Sequence, residues 1–239
     1  MKGLSKMLRP GCARLLTFSL PTMLGLSLTL LAGAQPALAG QDAAVPVAVE
    51  IHGGTAIFDV GTNVSAISVH GKSTALEGHA RVRQTNDGLT IEHVDAAMPI
   101  ASLGTGMGLR DAHMRKYVFA TADGQLPDVR FDASHADCAR VSAGGRDMTC
   151  QMSGTLTIRG TARPFAMTLR VSESGGSGAG AGAGGGVFRA SGDADIKLSA
   201  WQIDAPSQLG VQTSDDVKLH LEFTTRPAPA VTTTAYRGR

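Results

Sequence analysis

Residues able to do polar chemistry are sparse in this chain, and only Arg110, Asp111 and His113 stand close together. A cation, a carboxylate and an imidazole at this spacing admit two readings. They can hold a polar head group, or Asp111 can cap a helix start or pair with Arg110 while His113 fixes that helix to its surroundings. Acid–base catalysis by His113 lacks a nucleophile near it in the sequence. His52, His70, His79, His93, His135 and His220 are scattered without a His-x-His or i,i+4 pair, so their spacing gives no metal site. Gly71-Lys72-Ser73 imitates the end of a phosphate loop, but the first glycine of that motif falls on Ala66. Gly104, Gly106 and Gly108 do not have dinucleotide spacing and follow no βα unit. No cofactor is expected.

Cys138 and Cys150 flank a segment with Gly144-Gly145 at its middle and strand-like runs on either side. A hairpin folded about Gly144 sets the two cysteines opposite one another, so a cross-strand disulfide is expected. Closing so short a loop contributes ~2–3 kcal/mol in the loop-entropy view. A redox-active pair is disfavoured by the absence of a Cys-x-x-Cys motif.

The elements that position these residues emerge once three segments are set aside. Lys2, Lys6, Arg9 and Arg14 precede an apolar run from Leu15 to Leu31, and Ala37-Leu38-Ala39 forms a small-x-small site before Gly40. Residues 1–39 read as a secretory signal peptide, with Pro21 and Gly25 disfavouring an uncleaved anchor. Its removal takes Cys12 and leaves an even number of cysteines, as suits a periplasmic or secreted protein. It also takes four positive charges, so a formal charge of +2 becomes 18 Lys and Arg against 20 Asp and Glu, or −2. That balance offers no Lys/Arg-rich face, so neither nucleic acid nor an anionic lipid surface is an expected partner. No stable membrane anchor is expected after cleavage.

Residues 174–186 hold only Ser, Gly and Ala and read as a flexible insert. Residues 226–239, with Pro227, Pro229 and a threonine run, read as a disordered tail. One domain remains, residues 46–225.

Within it, period-two alternation dominates. Met148, Cys150, Met152, Gly154, Leu156 and Ile158 alternate with Thr149, Gln151, Ser153, Thr155 and Thr157. The same pattern runs through Phe165–Val171, Phe188–Leu198 and Val217–Phe223, with earlier strands expected at Ala56–Asp59, Ser65–Val69, Leu76–Arg83, Leu89–Ile100 and Val129–Ala133. Only Gly108–Phe119 has helical spacing, carried by Met107, Arg110, Met114 and Val118. The class is all-β: eight or more one-faced antiparallel strands, arranged as a sandwich or a closed barrel. Small inward residues such as Gly78, Ala80, Gly154, Ala190, Gly192 and Ala194 beside Met, Leu and Phe fit a cavity and a tightly packed core equally well.

Several of these motifs resemble the YceI-like family of exported polyisoprenoid-binding proteins. The similarity lies in Leu109-Arg110-Asp111-Ala112-His113-Met114, in Leu126-Pro127-Asp128-Val129-Arg130-Phe131, in Gly154 to Pro164 and in Gly210 to Leu219, in order along residues 56–224. The resemblance implies an extended, lipocalin-like, eight-stranded antiparallel barrel with one short helix, holding a long isoprenoid or quinone-type chain. Two features depart from the family pattern: Asn63 stands where many members carry His, and the glycine insert lengthens a hairpin loop.

On this resemblance the lipid-chain contacts are expected from Met152, Leu156, Phe165, Met167, Leu169, Phe188, Ile196 and Trp201, whose alternative role is simply core. Arg110, Asp111 and His113 then stand at the barrel mouth. The expected function is a non-enzymatic carrier of an amphiphilic polyisoprenoid. The rivals are an envelope protein-interaction module with a side-chain-filled barrel and an enzyme acting on an isoprenoid lipid.

Overall fold

The computed structural model describes residues 45–85, 87–174 and 187–229. The signal peptide expected over residues 1–39, the insert beyond Ser174 and the tail beyond residue 229 lie outside the described residues.

The strands are β1 (Val47–Thr62), β2 (Ser68–Thr85), β3 (Gly88–Met98), β4 (Val129–Ala133), β5 (Ala136–Arg140), β6 (Asp147–Ile158), β7 (Thr161–Glu173), β8 (Phe188–Lys197), β9 (Ser207–Gln208) and β10 (Val211–Pro227). Their antiparallel ladders run β1-β2-β3-β4-β6-β7-β8-β10, and β10 returns to β1 through pairs from Val49↔Pro227 to Thr62↔Thr213. β5 continues the line of β4 between β3 and β6. The result is a closed barrel of eight staves, one of them broken in two at Ser134-His135. The ladders close the wall apart from the stretch where β7 and β8 part beyond Thr168↔Asp193. β9 is a short strap on the β10 side.

Several boundaries differ from the sequence expectation for local physical reasons. The stretches 65–69 and 76–83 are parts of one strand, β2, because Gly71, Lys72 and Ser73 stay in the ladder without showing a one-faced pattern. Gly71 lies opposite Phe58, and a methyl group there would overlap the Phe58 ring, so glycine lets that ring lie flat against the wall. β1 begins at Val47, nine residues before Ala56, and a bulge at Gly53-Gly54 shifts its inward positions from Val49 and Ile51 to Ala56, Phe58 and Val60. β3 ends at Met98, where Pro99 leads into a 3-10 turn, Ile100–Ser102. β10 reaches Pro227, into the expected tail, because Arg226 pairs with Glu50 at 2.9 Å and the Ala228 amide donates to Ala48.

The helix forms as α1 (Gly108–Met114) and continues as a π-turn, Arg115–Phe119. The β6–β7 hairpin turns on Arg159-Gly160, both at positive φ (53° and 76°), as a tight hairpin requires. The disulfide between Cys138 and Cys150 is present, across directly paired residues of β5 and β6.

The core has two parts. One, containing Val49, Leu89, Cys138, Met148, Cys150 and Phe188, lies at the end of the barrel near the disulfide. The other, with Val60, Val118, Leu156, Ile196, Trp201 and Ile203, lies at the end that carries α1.

Candidate functional site: an apolar shaft with a polar mouth

Alternation places one side chain in every two inside the barrel, and these do not fill it. A cavity of about 830 Å³ runs along the axis. That volume lies within the ~300–1,000 Å³ typical of ligand sites. The choice left open by the sequence, packed core or cavity, has both answers in one cluster: Cys138, Met148 and Cys150 are buried away from the cavity, whereas Val49, Leu89 and Phe188 beside them line it.

Exposure shows where the cavity opens. Its lining residues at the disulfide end are buried, Val49 at 1%, Leu89 at 3% and Phe188 at 4%, whereas Ile67, Tyr117 and Leu209 at the helix end are exposed. The polar lining is gathered at the same open end: Thr62, Thr105, Arg110, His113, Tyr117, Ser207, Gln208 and Thr213. At the deep end Thr225 also lines the space, and its hydroxyl accepts from the Phe188 amide. The arrangement is an apolar shaft with one polar, solvent-facing mouth, shaped for an amphiphile that has a hydrocarbon tail and a polar head.

Met152, Leu156, Phe165, Met167, Leu169, Phe188 and Ile196 line the shaft. Trp201 does not. The β7–β8 ladder stops at Thr168↔Asp193, and the 3-10 turn Leu198–Trp201 follows β8 at the open end. Trp201 is buried there beside Leu156 and Ile158, with its indole N–H donating to the Leu156 carbonyl at 3.1 Å. It therefore belongs to the packed wall rather than to the cavity surface.

At the mouth, Arg110 and His113 line the cavity and Asp111 does not. Asp111 Oδ1 accepts from the Thr105 amide at 2.8 Å and from the Thr105 hydroxyl. Those two bonds, the hydroxyl's first, together with Arg115 and Arg110, hold its carboxyl below the ordinary carboxylate range. Arg110 donates through Nε to Thr105 Oγ1 at 2.7 Å and through Nη2 to the Thr105 carbonyl at 2.8 Å. His113 Nδ1 lies 3.0 Å from Gln208 Oε1, tying α1 to β9, and the ring meets Tyr117 edge-on at 5.7 Å. Asn63 staples the β1–β2 turn to the start of β10, donating to the Gly210 carbonyl at 3.1 Å and accepting from the Gln212 amide at 2.9 Å. Gln208 and the stapling role of Asn63 carry no local sequence signal, because their partners are brought close only by barrel closure, whereas Thr105 bonds within its own segment to Arg110 and Asp111.

A second polar group sits on the outer wall. Ser68 Oγ lies 2.8 Å from His70 Nε2, and His70 Nδ1 contacts Asp59 Oδ1, the order of a nucleophile, base and orienting carboxylate. The cleft of about 380 Å³ beside it is lined by Asp59, Asp195 and Asp216 against one cation, Lys218. That charge opposes the oxyanion of acyl transfer, and His70 stands largely in solvent, so the row suits an outward-facing polar ladder. Among the described residues no group of three His, Cys, Asp or Glu side chains is placed to hold a metal ion, and no helix is long and apolar enough to cross a membrane.

The chain matches the model of the YceI-like domain over residues 43–225. A polyisoprenoid binding domain from Saccharophagus degradans, implicated in plant cell wall breakdown, has a similar fold, with a TM-score of 0.54 at 15% identity over 76% of this chain and 99% of that one. BcnA from Burkholderia cenocepacia aligns at a TM-score of 0.47 and 16% identity over 71% of this chain and 95% of its own. A Campylobacter jejuni YceI protein aligns at 0.46 and 21% identity over 67% and 85%. No curated protein sequence matches the chain.

Proposed function

The chain belongs to the YceI-like domain family, and on that premise we propose that it is an exported, non-enzymatic binding or carrier protein for a long-chain polyisoprenoid or quinone-type lipid. The observation that carries this reading is the polarity of the cavity, an apolar shaft of about 830 Å³ whose polar lining gathers at its exposed end. The polyisoprenoid-binding domain with the same fold supports the choice of ligand class. Export is supported by the apolar run with its small-x-small site and by the disulfide.

Each methylene transferred from water contributes ~0.8 kcal/mol, and association costs roughly 4–15 kcal/mol in lost freedom. A tail of about ten carbons therefore barely offsets its own immobilisation. Affinity should rise with chain length until the shaft is full, which favours long isoprenoids over short ones.

Native mass spectrometry of the protein purified from its own envelope, followed by lipid extraction, tests the reading. A protein that emerges lipid-free and also fails to bind long-chain isoprenoids or quinones would overturn it. Leu156 lines the shaft towards the helix end, so Leu156→Trp should fill part of the volume and weaken binding by at least about tenfold while the barrel stays folded. Unchanged affinity would remove Leu156 from the ligand contacts.

A further inference from the structure

The open end carries a second, outward-facing feature. Val64 and Ile67 in the β1–β2 turn, Met107, Leu109 and Tyr117 on and beside α1, and Leu209 before β10 are exposed apolar side chains. They sit on elements already stapled together by Asn63 and by the His113–Gln208 bond. They therefore form one crown around the mouth rather than scattered surface residues.

Leu209 is the most telling. It is 98% exposed, and its φ of 51° lies in the left-handed region, which a branched apolar residue adopts only with strain. Nothing in the fold gains from a strained leucine in water; a surface that covers it does.

Charge is distributed to match. The β1–β2 turn and residues 207–213 hold no acid, and residues 107–117 hold Arg110, Arg115 and Lys116 with Asp111 as their one acid; Arg110 and Asp111 bond to Thr105 and Arg115 to the Ala101 and Leu103 carbonyls, which leaves Lys116 as the outward cation. The chain from Gly40 onward is formally negative, yet residues 107–117 carry a formal +2, while the acidic cleft of Asp59, Asp195 and Asp216 lies on the wall beyond the β1–β2 turn. Lys116 lies 5.1 Å from the Tyr117 ring, and such a pair suits a membrane interface, with an apolar body below and a polar tip in the head-group layer.

We propose that this crown docks on a phospholipid bilayer, inserting Leu109, Leu209 and their neighbours between head groups so that the mouth faces the hydrocarbon and the ligand passes without crossing water. The proposal rests on the lipid-binding reading of the cavity, and its test separates the two.

The full chain is mixed with vesicles of phosphatidylethanolamine and phosphatidylglycerol and followed by co-flotation, while cavity binding is followed separately with a detergent-dispersed long-chain isoprenoid. Met107 and Leu109 do not line the cavity, so the double variant Met107→Gln, Leu109→Gln should reduce co-flotation by at least about tenfold and leave isoprenoid binding intact. Leu209→Asn should also lower co-flotation while raising thermal stability, because Asn tolerates the left-handed conformation. Wild-type protein that binds isoprenoid but ignores the vesicles overturns docking alone, as does a double variant that floats like wild type. Binding only to native envelope membranes and not to protein-free vesicles overturns it in favour of a protein partner. Co-flotation without any isoprenoid binding leaves the crown standing and removes the carrier function.

Discussion

Asp111 holds the loop at the mouth through two bonds from Thr105, and both are stronger to its charged form. Because its pKa is lowered in the folded state, its contribution is complete above the ordinary value near ~4 and is lost as pH falls through the folded value. The Thr105 amide resonance should therefore report an acid transition with its midpoint below about pH 4, abolished by Asp111→Asn; a midpoint above that value would contradict the arrangement. Trp201 gives the opposite kind of test. Trp201→Phe keeps most of the packing but leaves the buried Leu156 carbonyl without its donor, so chemical denaturation should show a loss of about 1–3 kcal/mol with ligand affinity unchanged. A loss of affinity without a loss of stability would put Trp201 back on the cavity wall, where the sequence pattern placed it. Position within a strand's alternation was readable; the 3-10 turn Leu198–Trp201 that ends β8 was not, and it turns Trp201 into the packed cluster with Leu156 and Ile158.

Among the elements, β4 was legible to the residue because Val129–Ala133 alternates cleanly behind Pro127, whereas β1 and β2 were not. Gly53, Gly54 and Gly71 interrupt the alternation with positions that carry no side chain, although the backbone ladder continues through each of them or resumes after a bulge. The β5–β6 pairing was readable through its cysteines, since Gly144 at φ 70° supplies the turn that faces Cys138 with Cys150. This bridge ties the end of the barrel far from the mouth. Reduction should lower stability by ~2–3 kcal/mol. In a protein of this size that corresponds to a fall in Tm of about 5–10 °C by calorimetry. Isoprenoid binding below the new Tm should persist; its immediate loss on reduction would show that the bridge sets the shape of the cavity's deep end, where Leu89 and Leu169 pair with the two cysteines.

The described barrel is one closed sheet around one space, so a ligand held there and the fold would be thermodynamically linked. A lipid held in the shaft binds only the closed barrel, and at a hundred times its Kd it should stabilise by about 2.7 kcal/mol. A rise in Tm of roughly 5–10 °C by differential scanning fluorimetry is expected, with the increment growing along a series of lengthening isoprenoids. A flat response across that series would show that the tail does not enter. The existence of the cavity could not be read from composition, because Gly154 and Gly192 face inward as readily in a packed core; only the accumulated geometry of eight staves leaves the volume unfilled. Its single exposed end has a kinetic corollary. On the carrier reading a bound tail would leave by the mouth through which it entered, withdrawing along its length, so each added isoprene unit should lengthen residence time while the rate of capture, set by the first few carbons at the mouth, stays nearly constant. A vessel open at one end thus selects among its cargoes by how slowly it lets them go.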